Sequence, residues 1–259
     1  MAQRRRHSQQ SGQALVESAL TLPLVVFLAF GTIQLSLMLQ ARALAHYAAF
    51  IAVRTGSVNY ADCDRMTHAA IAALIPAIRS FLGPSTPGSA GDKLAAEFGP
   101  RKNNKYSMAR DQINGDVIWI YREQPLKTVV DSMPNSEDTD FDVPGRPPAP
   151  GSPSRLEVRL IFWYPLRIPF ADWVMSRIFL AHFGLAAYTA QNPLLLTQKA
   201  NWTSGTSYTP GADIATELYN RVYLMRQYVF PIEATYTMRM MTPVKKSKYL
   251  TQNCPPVLP

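Results

Sequence analysis

The sequence has few of the side chains that carry out chemistry. Its 259 residues include only 4 histidines and 2 cysteines. His7, His46, His68 and His182 are scattered, and no two stand at the H-x-x-x-H or H-E-x-x-H spacing that sets two metal ligands on one helix face. No G-x-S-x-G, P-loop or G-x-G-x-x-G string occurs, which removes the nucleophile-elbow hydrolases and the common phosphate-cradling folds. Nothing singles out a pair of carboxylates for hydrolysis. Cys63 and His68 are a lone pair of possible zinc ligands, better read as residues of a capped helix start. Asp138, Asp140 and Asp142 alternate as calcium ligands do, but the loop lacks the later Gly and bidentate Glu of an EF-hand and reads as a solvated acidic turn. No enzyme, metal or cofactor is expected. Basic residues outnumber acidic ones 26 to 18, for a net charge of +8. They form no stripe with interleaved aromatics, so no nucleic acid is expected. Arg101, Lys102 and Lys105, like Lys245, Lys246 and Lys248, read as solvated loop faces or contacts to anionic lipid headgroups.

The most informative absence is local. Residues 18–39 form a run of about 22 positions with no Lys, Arg, Asp or His. As a helix it is about 33 Å long, close to the hydrocarbon thickness of a bilayer. Gln34 is its only strongly polar member, and Pro23 falls in the first turns, where its missing N–H does least harm. The topogenic cluster Arg4, Arg5 and Arg6 precedes the run, so the N-terminus is expected in the cytoplasm and the remainder outside. The helical pattern continues past the membrane edge. Ala41, Ala45, Ala48 and Ala52 form a small-residue stripe that allows close approach of a neighbouring helix. A helix ended near Gly56 is too long for the bilayer alone, so its outer half should dock on the exported domain or on partner subunits. Two A-x-A strings within residues 41–45 leave open a secreted protein released by signal peptidase. An uncleaved signal anchor carrying a binding module or adhesin is the other alternative.

Glu17 is out of place at the start of such a run. An unpaired carboxylate there costs several kcal/mol, which marks it as a functional position. Gly12 lies five residues before it. The string Ser11-Gly12-Gln13-Ala14-Leu15-Val16-Glu17, between a basic leader and an apolar helix, resembles the class III signal of type IV prepilins. The wider string over residues 12–35, with Gly12, Glu17, Ala19, Leu20, Pro23 and Gly31, is similar to the TadE/TadG-type minor pilins of Tad (tight adherence) systems. Residues 164–173 and 231–240 resemble the same proteins more loosely. The resemblance implies that a prepilin peptidase cuts between Gly12 and Gln13. It also implies that Glu17 pairs with the new α-amino group of a neighbouring subunit. The partners it implies are the bacterial inner membrane, the peptidase, other major and minor pilins and the pilus assembly platform. The exported part would be periplasmic, or extracellular in an assembled pilus.

Three regions are therefore expected: a leader over residues 1–12, a transmembrane and stalk helix over 13–56, and an exported α+β domain over 57–259. In that domain Asp62 or Asp64 can cap a helix running to residue 82, with Met66, Ala70, Leu74 and Ile78 on one face and a possible kink at Pro76. Residues 83–91 are a Pro/Gly/Ser loop, and residues 133–153 a Pro-rich loop. Residues 117–121 are a short β-rich run. Leu156, Val158, Leu160 and Phe162 alternate with charged residues, as Ile232, Ala234, Tyr236, Met238 and Met240 alternate with polar ones. Residues 170–182 read as a helix between these strands. Helices on a small antiparallel sheet, in the manner of type IV pilins, fit that order. Phe162, Trp163, Tyr164, Phe170 and Trp173 are either core or a sugar- or partner-binding surface. Cys63 and Cys254 are either two independent thiols or, on the oxidising side of a membrane, a disulfide closing about 190 residues.

Overall fold

A computed structural model describes residues 7–78, 88–132, 155–182 and 212–254. The chain divides into two units, one of Met1–Met38 with Leu166–Thr209 and one of Leu39–Pro165 with Pro210–Pro259. The expected Pro-rich loop over 133–153, with Asp138, Asp140 and Asp142, lies outside the described residues, as does Arg4 to Arg6. Helix α1, His7–Val58, supplies its first part to one unit and its second to the other. At 52 residues it is about 78 Å long. Because it begins at His7 rather than Gln13, Pro23 lies about four turns inside it and not in the first turns. The proline frees one backbone carbonyl there.

The larger unit is built on a three-stranded antiparallel sheet in the order β3-β4-β5, where β3 is Ile118–Gln124, β4 Arg155–Pro165 and β5 Val229–Arg239. Central β4 pairs residue by residue with β5, from Arg155 opposite Arg239 to Pro165 opposite Val229. Its period-two pattern holds over the first half: Leu156, Val158 and Leu160 are buried, while Arg159 sits on the wet face with Glu123 at 2.9 Å. From Ile161 onward every residue of β4 is buried. The second face is covered there by Trp119, whose ring meets Trp163 edge-on at 5.1 Å, and by the Arg221 guanidinium 4.6 Å over the Trp163 ring. In β5 Ile232 and Ala234 are buried as the alternation predicts, and so is Met240 just past the strand, but Tyr236 is half-exposed and Met238 only partly buried.

Helix α2, Cys63–Ile78, packs on β3 and β4 through Met66, Ala70, Ile71, Leu74 and Ile78. Asp62 is its N-cap, with Oδ1 accepting the Asp64 N–H at 3.0 Å. Burial pushes the Asp62 carboxyl up, but the Lys248 ammonium at 2.8 Å and the Arg65 and Asp64 N–H groups outweigh it and hold its pKa below the ordinary value. The stability this carboxylate contributes is present above the ordinary carboxylate pKa and fades as pH falls through the depressed one. Residues 79–82 lie outside the described chain. Four further helices are short and not among those expected from the sequence. They are α3 (Ala90–Phe98), α4 (Met108–Asp111), α5 (Lys127–Ser132) and α7 (Ala212–Tyr219), joined by a two-stranded ribbon, β1 (Lys105–Tyr106) with β2 (Gly115–Asp116). Of the residues expected as loop, Ala90 and Gly91 form instead the start of α3, with Ser89 as its N-cap. There Ser89 and Asp92 close a capping box, a signal present in the sequence as S-x-x-D.

The end of α1 also departs from expectation. Gly56 does not stop the helix. It lets the helix approach the sheet, because a Cβ there would come within 2.7 Å of Leu156 Cδ2 and of Met66 Sδ. The chain turns instead at Tyr60 and Ala61, both left-handed with φ of 58° and 59°, at a cost of roughly 1–2 kcal/mol each. The surroundings hold them there. Lys245 Nζ lies 4.2 Å over the Tyr60 ring, the Tyr60 N–H donates to Thr242 Oγ1 at 3.2 Å, and the buried Arg122 donates to the Ala61 carbonyl at 2.8 Å.

The basic clusters are not plain solvated faces. Arg101 is 2 % exposed, held by Glu97 Oε2 at 2.8 Å and by Asp111. Lys105 reaches Asp116 at 2.7 Å, and Lys246 donates to the Asp131 carbonyl at 2.9 Å. Arg122 and Arg221 are each 1 % exposed. Arg122 donates to the carbonyls of Ala61, Gln252 and Thr251 and stacks 3.6 Å over Tyr249.

Cys63 and Cys254 form a disulfide, with Cα atoms 5.3 Å apart. Cys254 also bridges the edge of β3, its N–H donating to the Ile120 carbonyl at 3.0 Å. The cross-link therefore ties the first turn of α2 to the sheet. It closes 191 residues of sequence, a loop worth about 5 kcal/mol of denatured-state entropy. Reduction, or Cys63→Ser, is expected to destabilise the full chain by about 3–5 kcal/mol, read as a lower Tm by circular dichroism in detergent. An unchanged Tm would mean that the Arg122 and Ile120 contacts hold this junction without the bond.

Candidate functional site

The first part of α1 presents a surface that water does not tolerate. Leu15, Leu20, Leu22, Val25, Leu28, Ile33 and Leu35 are all about half to three-quarters exposed, and Val16, Leu24 and Phe30 join them. Burying a side chain of this kind gains roughly 1.5–3 kcal/mol, so this surface in water costs on the order of 10 kcal/mol or more. That equals the whole stability of an ordinary domain. The two threonine hydroxyls of the stretch make no demand on solvent: Thr21 Oγ1 donates to the Glu17 carbonyl at 2.9 Å and Thr32 Oγ1 to that of Ala29 at 2.8 Å. The helix is long and apolar enough to cross a membrane and fits a single-pass anchor.

Glu17 stands at the N-terminal end of this surface with its side chain exposed. Gly12 and Gln13 lie upstream in the same helix. The structure thus sets the three residues on one continuous element, with the carboxylate a turn and more beyond the Gly12–Gln13 bond.

The alanine stripe has a different fate. Ala41, Ala45, Ala48 and Ala52 are completely buried, together with Ala49 and Val53, in the larger unit. Close by, Phe50 packs edge-on against Tyr236 of β5, with ring centroids 5.1 Å apart. The small residues serve the docking of the stem's second part on its own domain. The A-x-A strings over residues 41–45 lie within unbroken helix.

Gln34 is the polar exception of the run, and its role is not legible in the sequence. It is completely buried, and its Oε1 accepts the backbone N–H groups of Arg167 at 3.1 Å and Ile168 at 2.9 Å. Two turns earlier, Phe27 meets Phe170 edge-on at 5.7 Å. The stem is therefore bound, within its own unit, to the loop that leads into α6 (Ala171–His182). The five aromatics read as one cluster separate here. Phe162, Trp163 and Tyr164 are core, whereas Phe170 and Trp173 are half-exposed. The zinc alternative also falls away, because Cys63 is disulfide-bonded and His68 Nε2 lies 3.1 Å from the Lys102 carbonyl. Among the described residues no group of three His, Cys, Asp or Glu is placed to hold a metal.

Most of this stem matches a known family. Residues 12–54 match the family of TadE-like proteins. The matched TadE-like segment opens at Gly12, contains Glu17 and Gln34, and closes on the buried part of α1, two residues before Gly56. The match suggests an association of the chain with Tad pili. No curated protein and no solved structure gives a match to the chain.

Gln34→Leu is expected to leave membrane insertion intact and to strip two buried N–H groups of their acceptor. Each such loss costs about 1–3 kcal/mol. Amide exchange at residues 167 and 168, followed in detergent by hydrogen–deuterium mass spectrometry, should speed up roughly tenfold or more, which corresponds to 1.4 kcal/mol. Unchanged exchange would sink the anchoring role.

Proposed function

We propose that the chain is a minor pilin of a Tad-type pilus or secretion apparatus, non-enzymatic, that takes part in priming, assembly or tip formation. The observation that carries this is the start of the TadE-like segment at Gly12, five residues before Glu17, on a helix whose apolar face is bare. Prepilin peptidase cuts after Gly12 on the cytoplasmic face, and Gln13 becomes the first residue of the mature chain. Before assembly the inner membrane covers the stem. On extraction the stems of major and minor pilins replace lipid at little change in apolar contact. Glu17 then accepts the α-amino group of an adjacent stem, so that two charges costly in hydrocarbon neutralise each other. The domain after the stem is carried on the periplasmic side and reaches the cell exterior in an assembled pilus, where such systems serve adhesion or contact-dependent secretion.

Two measurements test the proposal. N-terminal sequencing of the membrane-extracted protein should begin at Gln13. A start at Met1 or Ala2 would remove the processing step, and a start at Leu44 or His46 would replace it with signal peptidase. Glu17→Val should preserve insertion, seen by carbonate-resistant membrane association, yet reduce piliation severely when it is the only copy in the cell. Normal piliation would overturn the pairing of Glu17 with a terminal amine.

A further inference from the structure

We propose that the outward face of α6, with the loop before it, lies in the outer-leaflet interface of the membrane that holds the stem, as a second lipid contact of this chain. The proposal rests on α1 being the membrane span.

Gln34 sets the depth. Because its Oε1 holds the Arg167 and Ile168 N–H groups, the Arg167 residue stays at the level of position 34 on the stem. A guanidinium is expensive inside hydrocarbon, so the exported edge of the core lies near Gln34 rather than several residues beyond it. The stretch from Leu15 to Gln34 is then about 30 Å long, which matches the hydrocarbon core. From Ile168 the chain runs back along the stem, and Phe170 meets Phe27. Position 27 is about 10 Å deeper than position 34. That is the depth to which interfacial helices sink their apolar faces, about 5–10 Å below the headgroup boundary.

The residues of α6 suit that place. Phe170, Trp173 and Ile178 are 59 %, 49 % and 59 % exposed, and Arg177 is exposed among them. At 3.6 residues per turn Trp173, Arg177 and Ile178 share one arc of α6, with the half-buried Val174 among them, while the buried Ala171 and Leu180 flank that arc and Ser176 lies behind it; Phe170 is exposed just before the first turn. Two aromatics, an aliphatic and an arginine exposed together are an interfacial composition, since Trp and Arg each pair an apolar body with a polar end. The arc is continuous with the bare stem through the Phe27–Phe170 contact, so one lipid phase covers both.

The test uses the full chain reconstituted in vesicles of phosphatidylethanolamine and phosphatidylglycerol. Cysteines are introduced one at a time by Phe170→Cys, Trp173→Cys, Ile178→Cys, Leu28→Cys on the stem and Leu94→Cys on α3. The native cysteines are disulfide-bonded, so the introduced thiol alone takes a nitroxide label. Power saturation compares collision with oxygen, which favours lipid, and with a water-soluble nickel chelate. Labels at 170, 173 and 178 should favour oxygen, most strongly at 170 and there about as strongly as at 28, while the label at 94 favours nickel. Labels on α6 as nickel-accessible as position 94, with position 28 still in lipid, would overturn the interfacial contact and leave the span intact. Spin–spin broadening at 170 and 173 with shielding from both reagents would mean that a second copy covers the face, and would overturn it too. Nickel accessibility at 28 would overturn the span and this proposal together.

Discussion

One helix has to be solvated by two different media. The first part of α1 carries leucine, valine and phenylalanine outward and bare, whereas the second part carries alanines inward against a folded domain. A helix is the only element that permits this, because its backbone hydrogen bonds are internal and indifferent to whether lipid or protein surrounds it. Everything downstream answers to that helix. The sheet receives it at Gly56, the chain after it is forced into two left-handed residues, and the disulfide fixes the start of α2 to β3.

The larger unit builds three guanidinium groups into its core. Arg101, Arg122 and Arg221 are among its largest fully buried side chains, and each lies against carboxylates, backbone carbonyls or an aromatic face. A planar five-donor group can join several loops at once where a lysine cannot. At Arg122 the donors reach the end of the stem and the segment after Tyr249, two places far apart in sequence. At Gly115, with φ of 108°, a side chain would strike the Arg221 guanidinium at 2.6 Å, so the β2 turn is shaped around that group.

The parts legible in the sequence are those set by composition over long windows. The apolar run needs no tertiary context, nor does the period-two alternation of Leu156 to Leu160. The alternation misled where tertiary cover changed, as at Ile161 to Pro165, whose second face is closed by residues from β3 and beyond α7. Short helices such as α4 and α5 carry too few turns to display a period. The buried arginines looked like surface residues because charge predicts exposure unless a partner is known, and partners such as Asp111 and the Ala61 carbonyl are visible only in three dimensions. Gln34 is the reverse case. Its polarity stands out, but only its two backbone donors reveal that it is an anchor rather than an impurity in the run.

The cross-link has a mechanical meaning as well as a thermodynamic one. Under the proposed pilin role, tension would enter along the stem. Cys63 lies five residues after the last residue of α1, and its bond to Cys254 offers such tension a covalent shortcut across a sequence separation of 191. Force passing from the stem to Cys254 would then cross one covalent bond rather than the weak hydrogen bonds of β3, β4 and β5.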